Sequence, residues 1–399
     1  MPVSRNLSLK SRYAVILILL GLIALMEARH PFPFFRLATF FLAFLELASV
    51  ASLLRGKLRD GFVILASLAF GLCVVEAVAR ILEFNKGTIF LEGLFGPRRP
   101  VVGWGPGQAG RFPMVLTNLA SGATIYSTHY TIDADLLRQT HSGASEPTIV
   151  FFGDSFTFGV GVNDADTLPQ QFADLLDRKQ RVLNLAYSAY GPQQFLRELE
   201  TGLFDHVIGS RPGLFVFLTA AWHAERTACK RYWVRWGPRY ALENGEVALK
   251  GACYEGLSLR VREWLENAAS YRMFIEPYLQ KVTHENVELY IRILLAAVNF
   301  AKQKYGVATL IPYITTRGYL EGKGFSDDEI IRRLRDGGAM VVDVSLAKEE
   351  AGGAIISIKG DGHPTPLANR LRASIIKNYI ENHMPGILVT GPPGSNSDG

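Results

Sequence analysis

Ser155 is the first residue whose type and position suit it to do chemistry. It follows the run Thr148-Ile149-Val150-Phe151-Phe152-Gly153-Asp154. A β-branched and aromatic run that ends at glycine is typical of a buried parallel strand. We therefore expect Ser155 at the carboxyl end of a strand, where open α/β sheets bind their ligands. A hydroxyl there is a candidate nucleophile, although Asp-Ser after a strand is also a common helix N-cap.

Asp361 and His363 are the candidate partners of that serine, about two hundred residues further along the chain. A serine hydroxyl is a weak nucleophile at neutral pH, and it needs an imidazole to accept its proton and a carboxylate to orient that imidazole. Two residues apart in a turning segment, Asp361 and His363 can face the same way. A lone Asp-x-His more often marks a solvated turn, so its weight comes from the pairing with Ser155.

These two motifs resemble those of the SGNH (GDSL-type) hydrolases, a family of esterases and some acyltransferases. The resemblance covers about residues 130–385, with Gly153-Asp154-Ser155-Phe156 as the first block and Asp361-Gly362-His363 as the last. Phe156 replaces the usual Leu, and one residue separates Asp361 from His363 where many members have two. The resemblance implies a flavodoxin-like sheet with Ser155, His363 and Asp361 as catalytic residues.

The second block of the family is similar to residues 182–191, and it implies an oxyanion hole. Ala189 lies where the family usually has a glycine whose backbone N–H binds the oxyanion. The resemblance therefore implies that the N–H groups of Ser155 and Ala189 are donors. Alanine keeps that N–H, and the change is tolerable provided that the site does not need a positive φ.

The third block departs from the family pattern, which has Gly-x-Asn-Asp with the Asn as a further oxyanion donor. This chain has Trp222 and His223 at the Asn and Asp positions. His223 or Arg226 is a candidate replacement donor. The alternatives are that His223 is structural or that the active site is degraded. Asp154, Trp222 and Arg226 are also candidates for substrate contact.

Three apolar stretches precede the first core strand, at residues 14–26, 32–54 and 62–82. We expect three transmembrane helices: the second and third stretches are long enough to cross about 30 Å of hydrocarbon, and the first crosses it with Tyr13 included and with Lys10 and Arg12 extending to the interface. Basic residues precede the first stretch and separate the second from the third, so the positive-inside rule places both basic clusters in the cytoplasm and the rest of the chain outside. A cleavable signal peptide is the alternative for the first stretch, but it lacks a small-x-small cleavage site. Glu46 and Glu76, inside the spans, are assigned no catalytic role.

The sequence pattern of the exported part predicts a three-layer α/β/α domain with a parallel five-stranded sheet. Strands are expected at 148–153, 181–186, 213–219, 307–312 and 339–344, and helices at about 167–178, 192–205, 285–304, 326–337 and 365–381. Strands alternating with helices in this way form a doubly wound sheet. The domain boundaries follow: a membrane anchor at 1–84, a connector with a small β extension at 85–145, the hydrolase-like domain at 146–385 with a β-hairpin insertion at about 228–255, and a disordered tail at 386–399.

Composition and cysteines restrict the partners. The net charge of +5 is explained largely by basic residues that flank the spans, and no basic block interleaved with aromatics indicates nucleic-acid binding. No Cys/His spacing indicates a metal, and no cofactor is expected. Cys229 and Cys253 bracket the expected hairpin, and an oxidising compartment would permit a disulfide between them.

The sequence thus favours a membrane-tethered extracytoplasmic serine esterase that acts on small acyl esters, such as acetyl groups on cell-envelope carbohydrate. Two alternatives remain open. One is a polysaccharide O-acyltransferase of the same fold, and the other is a non-catalytic module that binds carbohydrate or a protein partner. The sequence does not specify an oligomeric state.

Overall fold

The computed structural model describes residues 9–30, 34–85, 89–92, 96–118 and 121–389, with side chains omitted at 84–95. The chain forms two compact units, one of residues 1–88 together with 260–279, and one of residues 89–259 together with 280–399. Segment 260–279 therefore belongs to the unit that holds the expected membrane anchor, which the sequence did not predict. The disordered tail predicted at 386–399 lies, from residue 390 onward, outside the described residues.

The helices and strands are numbered in chain order. The helices are α1 Leu9–Arg29, α2 Phe35–Ala51, α3 Gly56–Asn85, α4 Ser155–Phe158, α5 Leu168–Asp174, α6 Pro192–Thr201, α7 Asp205–Ile208, α8 Ala224–Thr227, α9 Gly256–Glu266, α10 Ala269–Phe274, α11 Glu276–Leu279, α12 His284–Phe300, α13 Asp327–Asp336, α14 Ala347–Ala351 and α15 Pro366–His383. The strands are β1 Ile89–Glu92, β2 Arg98–Arg99, β3 Gly103–Trp104, β4 Gly110–Asn118, β5 Thr124–Ile132, β6 Ser145–Phe152, β7 Gln180–Asn184, β8 Pro212–Phe217, β9 Thr219–Ala220, β10 Pro238–Glu243, β11 Glu246–Ala252, β12 Ala308–Ile314 and β13 Met340–Asp343.

The first unit contains three N-terminal helices, but the prediction of three membrane spans is wrong. Within the described residues, two helices are long and apolar enough to cross a bilayer, Leu9–Arg29 and Gly56–Glu83. The helix between them, α2, has 17 residues. At 1.5 Å per residue it is about 26 Å long, which is shorter than the hydrocarbon core of about 30 Å. α2 packs against both α1 and α3.

The second unit is built on the predicted parallel sheet. Its strands lie in the order β13-β12-β8-β6-β7, with β9 pairing beside β12. Numbered by their order in the chain, the five main strands run 2-1-3-4-5, which is the flavodoxin-like order. The carboxyl ends of β6 and β8 lie on either side of the point where that order reverses, and this is where such sheets bind ligands.

Strand β6 shows why the sheet is buried on both faces. Successive side chains of a strand point to opposite faces. Val150 and Phe152 belong to one hydrophobic core, with residues of α6, α12 and α13, while Ile149 and Phe151 belong to a second, with residues of α5 and α15. The predicted three-layer α/β/α arrangement is confirmed.

Two antiparallel elements accompany this sheet. β1, β4 and β5 form a three-stranded sheet within the predicted connector. β10 and β11 form the predicted hairpin. Its two turn residues, Asn244 and Gly245, have φ values of 51° and 85°. Positive φ at both central residues is the backbone conformation that makes Asn-Gly favourable in a tight hairpin.

Candidate active site

The turn from β6 into α4 positions Ser155. Gly153 has a φ of 146°, and a Cβ there would lie 2.5 Å from Thr157 Oγ1, so the turn requires glycine. The next residue, Asp154, caps α4: its Oδ1 accepts a hydrogen bond of 2.9 Å from the backbone N–H of Phe156. Ser155 is the first residue of that helix and is buried. Its backbone N–H thus lies at a helix N-terminus, where developing negative charge is stabilised.

Asp361 and His363 are brought together by a tight turn. The carbonyl of Ile358 accepts from the N–H of Gly362 at 2.8 Å, and the N–H of Ile358 donates to the carbonyl of His363 at 2.8 Å. Gly360 and Gly362 have φ values of 89° and 91°, which let the chain reverse. His363 Nδ1 lies 2.6 Å from Asp361 Oδ2. Since a carboxylate only accepts, Nδ1 carries the hydrogen, which leaves Nε2 as the basic nitrogen.

The pair approaches Ser155 through its neighbour Phe156. The Phe156 ring centroid lies 5.7 Å from that of His363 and 5.7 Å from that of Trp222. Among the described residues, no hydrogen bond joins the Ser155 hydroxyl to His363. Catalytic hydrogen bonds are often long in enzymes without substrate and shorten in the substrate complex. The structure therefore pairs two of the three predicted catalytic residues and places the third beside a residue that contacts His363.

Ala189, the predicted oxyanion donor, has a φ of 67°. The condition under which alanine would be harmless here, a backbone without positive φ, is therefore not met. Neighbouring groups hold this loop: Trp104 Nε1 donates to the carbonyl of Ser188 at 2.9 Å, and the Tyr190 hydroxyl donates to the carbonyl of Trp104 at 2.6 Å. A non-glycine residue in the left-handed region costs about 1–2 kcal/mol, and such strain persists where the surrounding structure imposes it.

His223 does not have a free N–H for an oxyanion. Its Nε2 donates to Asp154 Oδ2 at 3.0 Å, because a carboxylate only accepts. Its Nδ1 then accepts from the Thr219 hydroxyl at 2.8 Å, and Thr219 Oγ1 in turn lies 3.0 Å from the Tyr290 hydroxyl. The ring is fully buried. This chain of hydrogen bonds uses both ring nitrogens, so the structure supports the structural alternative for His223.

Arg226 completes the network around Asp154. Its Nη1 donates to Asp154 Oδ2 at 2.8 Å and also to the backbone carbonyl of Tyr190. The Asp154 side chain is 1% exposed, so its predicted contact with substrate is not supported. Asp154 instead joins the serine turn, Arg226 and His223. Trp222 is partly buried beside Phe156, where it remains a candidate for substrate contact.

Burial and charge set the protonation of this network. Burial lowers the pKa of His223, the charge of Arg226 lowers it further, and the hydrogen bond to Asp154 opposes both, for a pKa of about 4. Burial alone would raise the pKa of Asp154, but the charge of Arg226 and the hydrogen bond from His223 outweigh it, so that pKa lies well below its ordinary value. At neutral pH the cluster therefore holds an ionised Asp154, a neutral His223 and a cationic Arg226.

A pocket of about 210 Å³ opens beside the Asp361–His363 pair. Apart from those two residues and Ser188, the side chains that line it are aromatic or aliphatic: Trp104, Met114, Leu116, Tyr126, Tyr130, Phe158, Val160 and Tyr187. Burial raises the pKa of Tyr187 to about 12, so its phenol is neutral. The pocket suits an apolar group.

Sequence reasoning missed most of this pocket, because five of its residues, including Trp104 of β3, come from the predicted connector. Met114 and Leu116 lie on β4, Tyr126 and Tyr130 on β5. The alternation of β5 was visible in the sequence, and it places Tyr126 and Tyr130 on the same face of the strand. What the sequence lacked was any sign that this face meets the catalytic segment.

The structure joins Cys229 and Cys253 in a disulfide with a Cα–Cα distance of 5.4 Å. Both residues are buried in the core that also contains Trp104, Tyr187 and Tyr190. The disulfide therefore links the chain on either side of the β10–β11 hairpin to the core beside the pocket.

No family model and no curated protein matches the chain. The solved structures that match part of this chain include a lipolytic protein of the G-D-S-L family from Desulfitobacterium hafniense (13% identity, 58% of this chain and 99% of that chain, TM-score 0.33). Others are the psychrotrophic esterase EstA from Pseudoalteromonas sp. (13%, 59% and 98%, TM-score 0.35) and a mutant acetylxylan esterase from Geobacillus stearothermophilus (14%, 60% and 96%, TM-score 0.33).

Proposed function

We propose that this protein is a membrane-tethered extracytoplasmic serine esterase that acts on small acyl esters, with acetyl groups on cell-envelope carbohydrate as one substrate class. The observation that carries the proposal is the 2.6 Å contact between Asp361 and His363, with the His363 ring against the residue that follows Ser155. In this arrangement Ser155 is the nucleophile, His363 the general base and acid, and Asp361 the orienting carboxylate.

The reaction has two halves. Ser155 Oγ attacks the ester carbonyl carbon while His363 Nε2 takes the hydroxyl proton, and Asp361 stabilises the imidazolium that forms. The backbone N–H groups of Ser155 and Ala189 stabilise the oxyanion of the tetrahedral intermediate. When that intermediate collapses, the C–O bond to the alcohol breaks and His363 gives the leaving alcohol its proton. Water then attacks the acyl-enzyme with His363 again as base, which releases the carboxylic acid and restores Ser155.

The apolar pocket supports the proposal that the protein recognises its substrate by binding the acyl group. It is lined by His363, so a group bound there lies next to the general base. The pocket volume is about 210 Å³, which is about seven times the volume of a water molecule in the liquid. It is therefore larger than an acetyl group requires. We therefore propose that acyl chains of several carbons are also accepted, with the alcohol part of the ester outside the pocket.

One observation favours a second function, that of a non-catalytic binding module. The position of the family's third-block Asn is held by Trp222, and both ring nitrogens of His223 are already bonded. Loss of one oxyanion donor costs about 3–4 kcal/mol in the transition state. A binding module would use the same pocket without forming an acyl-enzyme.

The disulfide supports the extracytoplasmic location. Disulfides persist in oxidising compartments and are rare in the cytosol, and Cys229–Cys253 lies in the unit that contains the proposed active site. The two helices that are long enough to cross a bilayer supply the tether. The location thus rests on the disulfide and not on a count of membrane crossings.

Labelling with a serine-directed fluorophosphonate separates esterase from binding module. We expect the wild type to be labelled and to hydrolyse p-nitrophenyl acetate, and Ser155→Ala and His363→Ala to lose turnover by about 10⁴-fold or more. Two matched controls keep these losses specific: Ser210→Ala and His206→Ala change an exposed serine and an exposed histidine. A wild type that is neither labelled nor active at neutral or mildly alkaline pH would show that the protein is a binding module.

A further inference from the structure

A segment late in the chain, residues 260–279, belongs to the same compact unit as α1, α2 and α3. It comprises most of α9 together with α10 and α11. The mechanism proposed above does not use it. Its contacts within the unit and its exposed side chains point to a role of its own.

The start of α10 is fixed to α3 by a buried carboxylate. Glu76 accepts hydrogen bonds from the N–H groups of Ala269 and Ser270, both at 2.9 Å, and from the Ser270 hydroxyl at 2.7 Å. Arg80, one turn further along α3, donates to Glu76 at 3.0 Å and to the carbonyl of Asn267 at 3.0 Å. Glu76 is fully buried. This apolar helix therefore carries polar groups whose partners lie in segment 260–279.

Further contacts place the segment alongside the last turns of α3. Both Arg272 Nε and Nη2 donate to the carboxylate of Glu83, at 2.9 and 2.8 Å. Since Glu76 and Glu83 are seven residues apart, the attachment points span about 10 Å along the helix axis. The carbonyl of Trp264 also accepts from Arg36 Nη2 at 3.2 Å. The segment thus runs beside the C-terminal two turns of the apolar helix Gly56–Glu83.

Beside the last two turns of α3, the segment has large apolar side chains that are exposed. Ile275 is 51% exposed and Leu279 is 54% exposed, values similar to those of Val74 and Ile81 on the apolar helix. The other exposed apolar or aromatic residues of the segment are Val261, Trp264, Phe274 and Tyr278. Exposed apolar groups at this density are unusual on a surface that faces water, and they mark a surface that contacts another apolar phase.

We propose that residues 260–279 form a second membrane-contact element, which lies in the bilayer interface beside the C-terminal end of α3 with its exposed apolar side chains in lipid. The inference rests on the proposed membrane tether. Lipid is the occupant because the segment that carries these exposed side chains is attached to the last two turns of a helix able to cross the bilayer. Trp264 and Tyr278 are also the aromatic types that concentrate at membrane interfaces, and short amphipathic helices with such residues lie in that plane.

Spin-label accessibility tests this in the full chain. Single cysteines at Ile275 and Leu279 are placed in a Cys73→Ala background, labelled with a nitroxide and reconstituted in liposomes. Collision with oxygen, which concentrates in hydrocarbon, is compared with collision with a water-soluble nickel chelate. Val75→Cys on the apolar helix is the lipid reference, and Lys348→Cys, at an exposed position of α14, is the water reference.

The expected result is an oxygen-to-nickel ratio at 275 and 279 that matches the lipid reference and exceeds the water reference. Ratios equal to the water reference, with Val75→Cys still lipid-like, would overturn the proposal and leave the tether intact. Low collision with both reagents would also overturn it, because a second copy or another protein would then cover the face. A water-like Val75→Cys would refute the tether itself, and this proposal with it.

Discussion

The ion pair between Arg226 and Asp154 offers the sharpest test of how the site is held together. Asp154 is buried, and Arg226 is the one cation that the structure describes within hydrogen-bond distance of its carboxylate. Arg226→Met removes that charge and leaves the carboxylate with His223 and the N–H of Phe156. Opposite charges 2.8 Å apart attract by about 6 kcal/mol at an effective dielectric constant of about 20. Part of that is offset by desolvation, and breaking a buried pair from one side typically costs about 3–5 kcal/mol.

We expect Arg226→Met to lower the free energy of unfolding by about 3–5 kcal/mol, measured by thermal unfolding of the full chain in detergent. Arg211→Met is the matched control. That arginine is 78% exposed and 3.7 Å from Glu146, so its removal should cost less than about 1 kcal/mol. Combining Arg226→Met with Asp154→Asn should cost less than the single change, because asparagine still caps α4 and leaves no uncompensated charge.

The pH dependence identifies the cause of the loss. In the wild type the pKa of Asp154 lies below its ordinary value, so its contribution to stability is present above about pH 4 and is lost as the pH falls further. Without Arg226, burial is opposed by the hydrogen bonds from His223 and Phe156 and by the charge of Arg372, so the pKa of Asp154 should rise. The penalty of Arg226→Met should then shrink as the pH falls from 7 towards 4. A penalty below about 1 kcal/mol, or one that does not depend on pH, would refute the view that Arg226 compensates a buried charge.

Four further changes test other parts of the site. Ala189→Gly should raise the melting temperature, because it relieves about 1–2 kcal/mol of left-handed backbone strain and glycine costs only about 0.4–1 kcal/mol of entropy. Esterase activity should persist, and a lower melting temperature would contradict this prediction. Because the pKa of His223 is lowered from 6.5 to about 4, the wild type should lose up to about 3 kcal/mol of stability as the pH falls through that interval, and His223→Gln should flatten the profile. Replacing both Cys229 and Cys253 by alanine opens a loop with a separation of 24 residues and should cost about 3 kcal/mol by thermal unfolding. Leu116→Phe should narrow the pocket and lower kcat/KM for hexanoate more than for acetate esters, whereas equal effects would place the acyl group elsewhere.

The elements of the α/β unit could be predicted from the sequence because local patterns determine them. Strand β6 is an uninterrupted apolar run that ends at glycine, and the predicted hairpin contains Asn244-Gly245. Apolar runs mark the five strands and periodic apolar positions mark the helices between them, so their order in the chain already favours a doubly wound sheet. The pairing of Asp361 with His363 was equally local, since only Gly362 separates them.

What the sequence could not provide were contacts between distant segments. Nothing in the residues around 269 and 270 indicates that their backbone N–H groups bind Glu76, nearly two hundred positions earlier. Likewise, the sequence separation of Asp154 and Arg226 does not indicate that these two side chains form a buried ion pair. The three-span prediction failed for a different reason: hydropathy indicated apolar residues as far as 54, but the helix ends at Ala51.

The third block departs from the pattern of the family that the motifs resemble, and its residues contact the serine turn instead. In the family resemblance this block supplies an oxyanion donor, whereas here Arg226 and His223 both bind Asp154. Asp154 caps the helix that begins with Ser155, and Arg226 also holds the carbonyl of Tyr190, the residue after Ala189. One ion pair therefore links the two backbone N–H groups proposed to bind the oxyanion. Since displacement of a reacting group by about 1 Å can cost on the order of 10²-fold in rate, Arg226→Met should lower kcat while leaving KM similar, and a change confined to KM would refute this role for the third block.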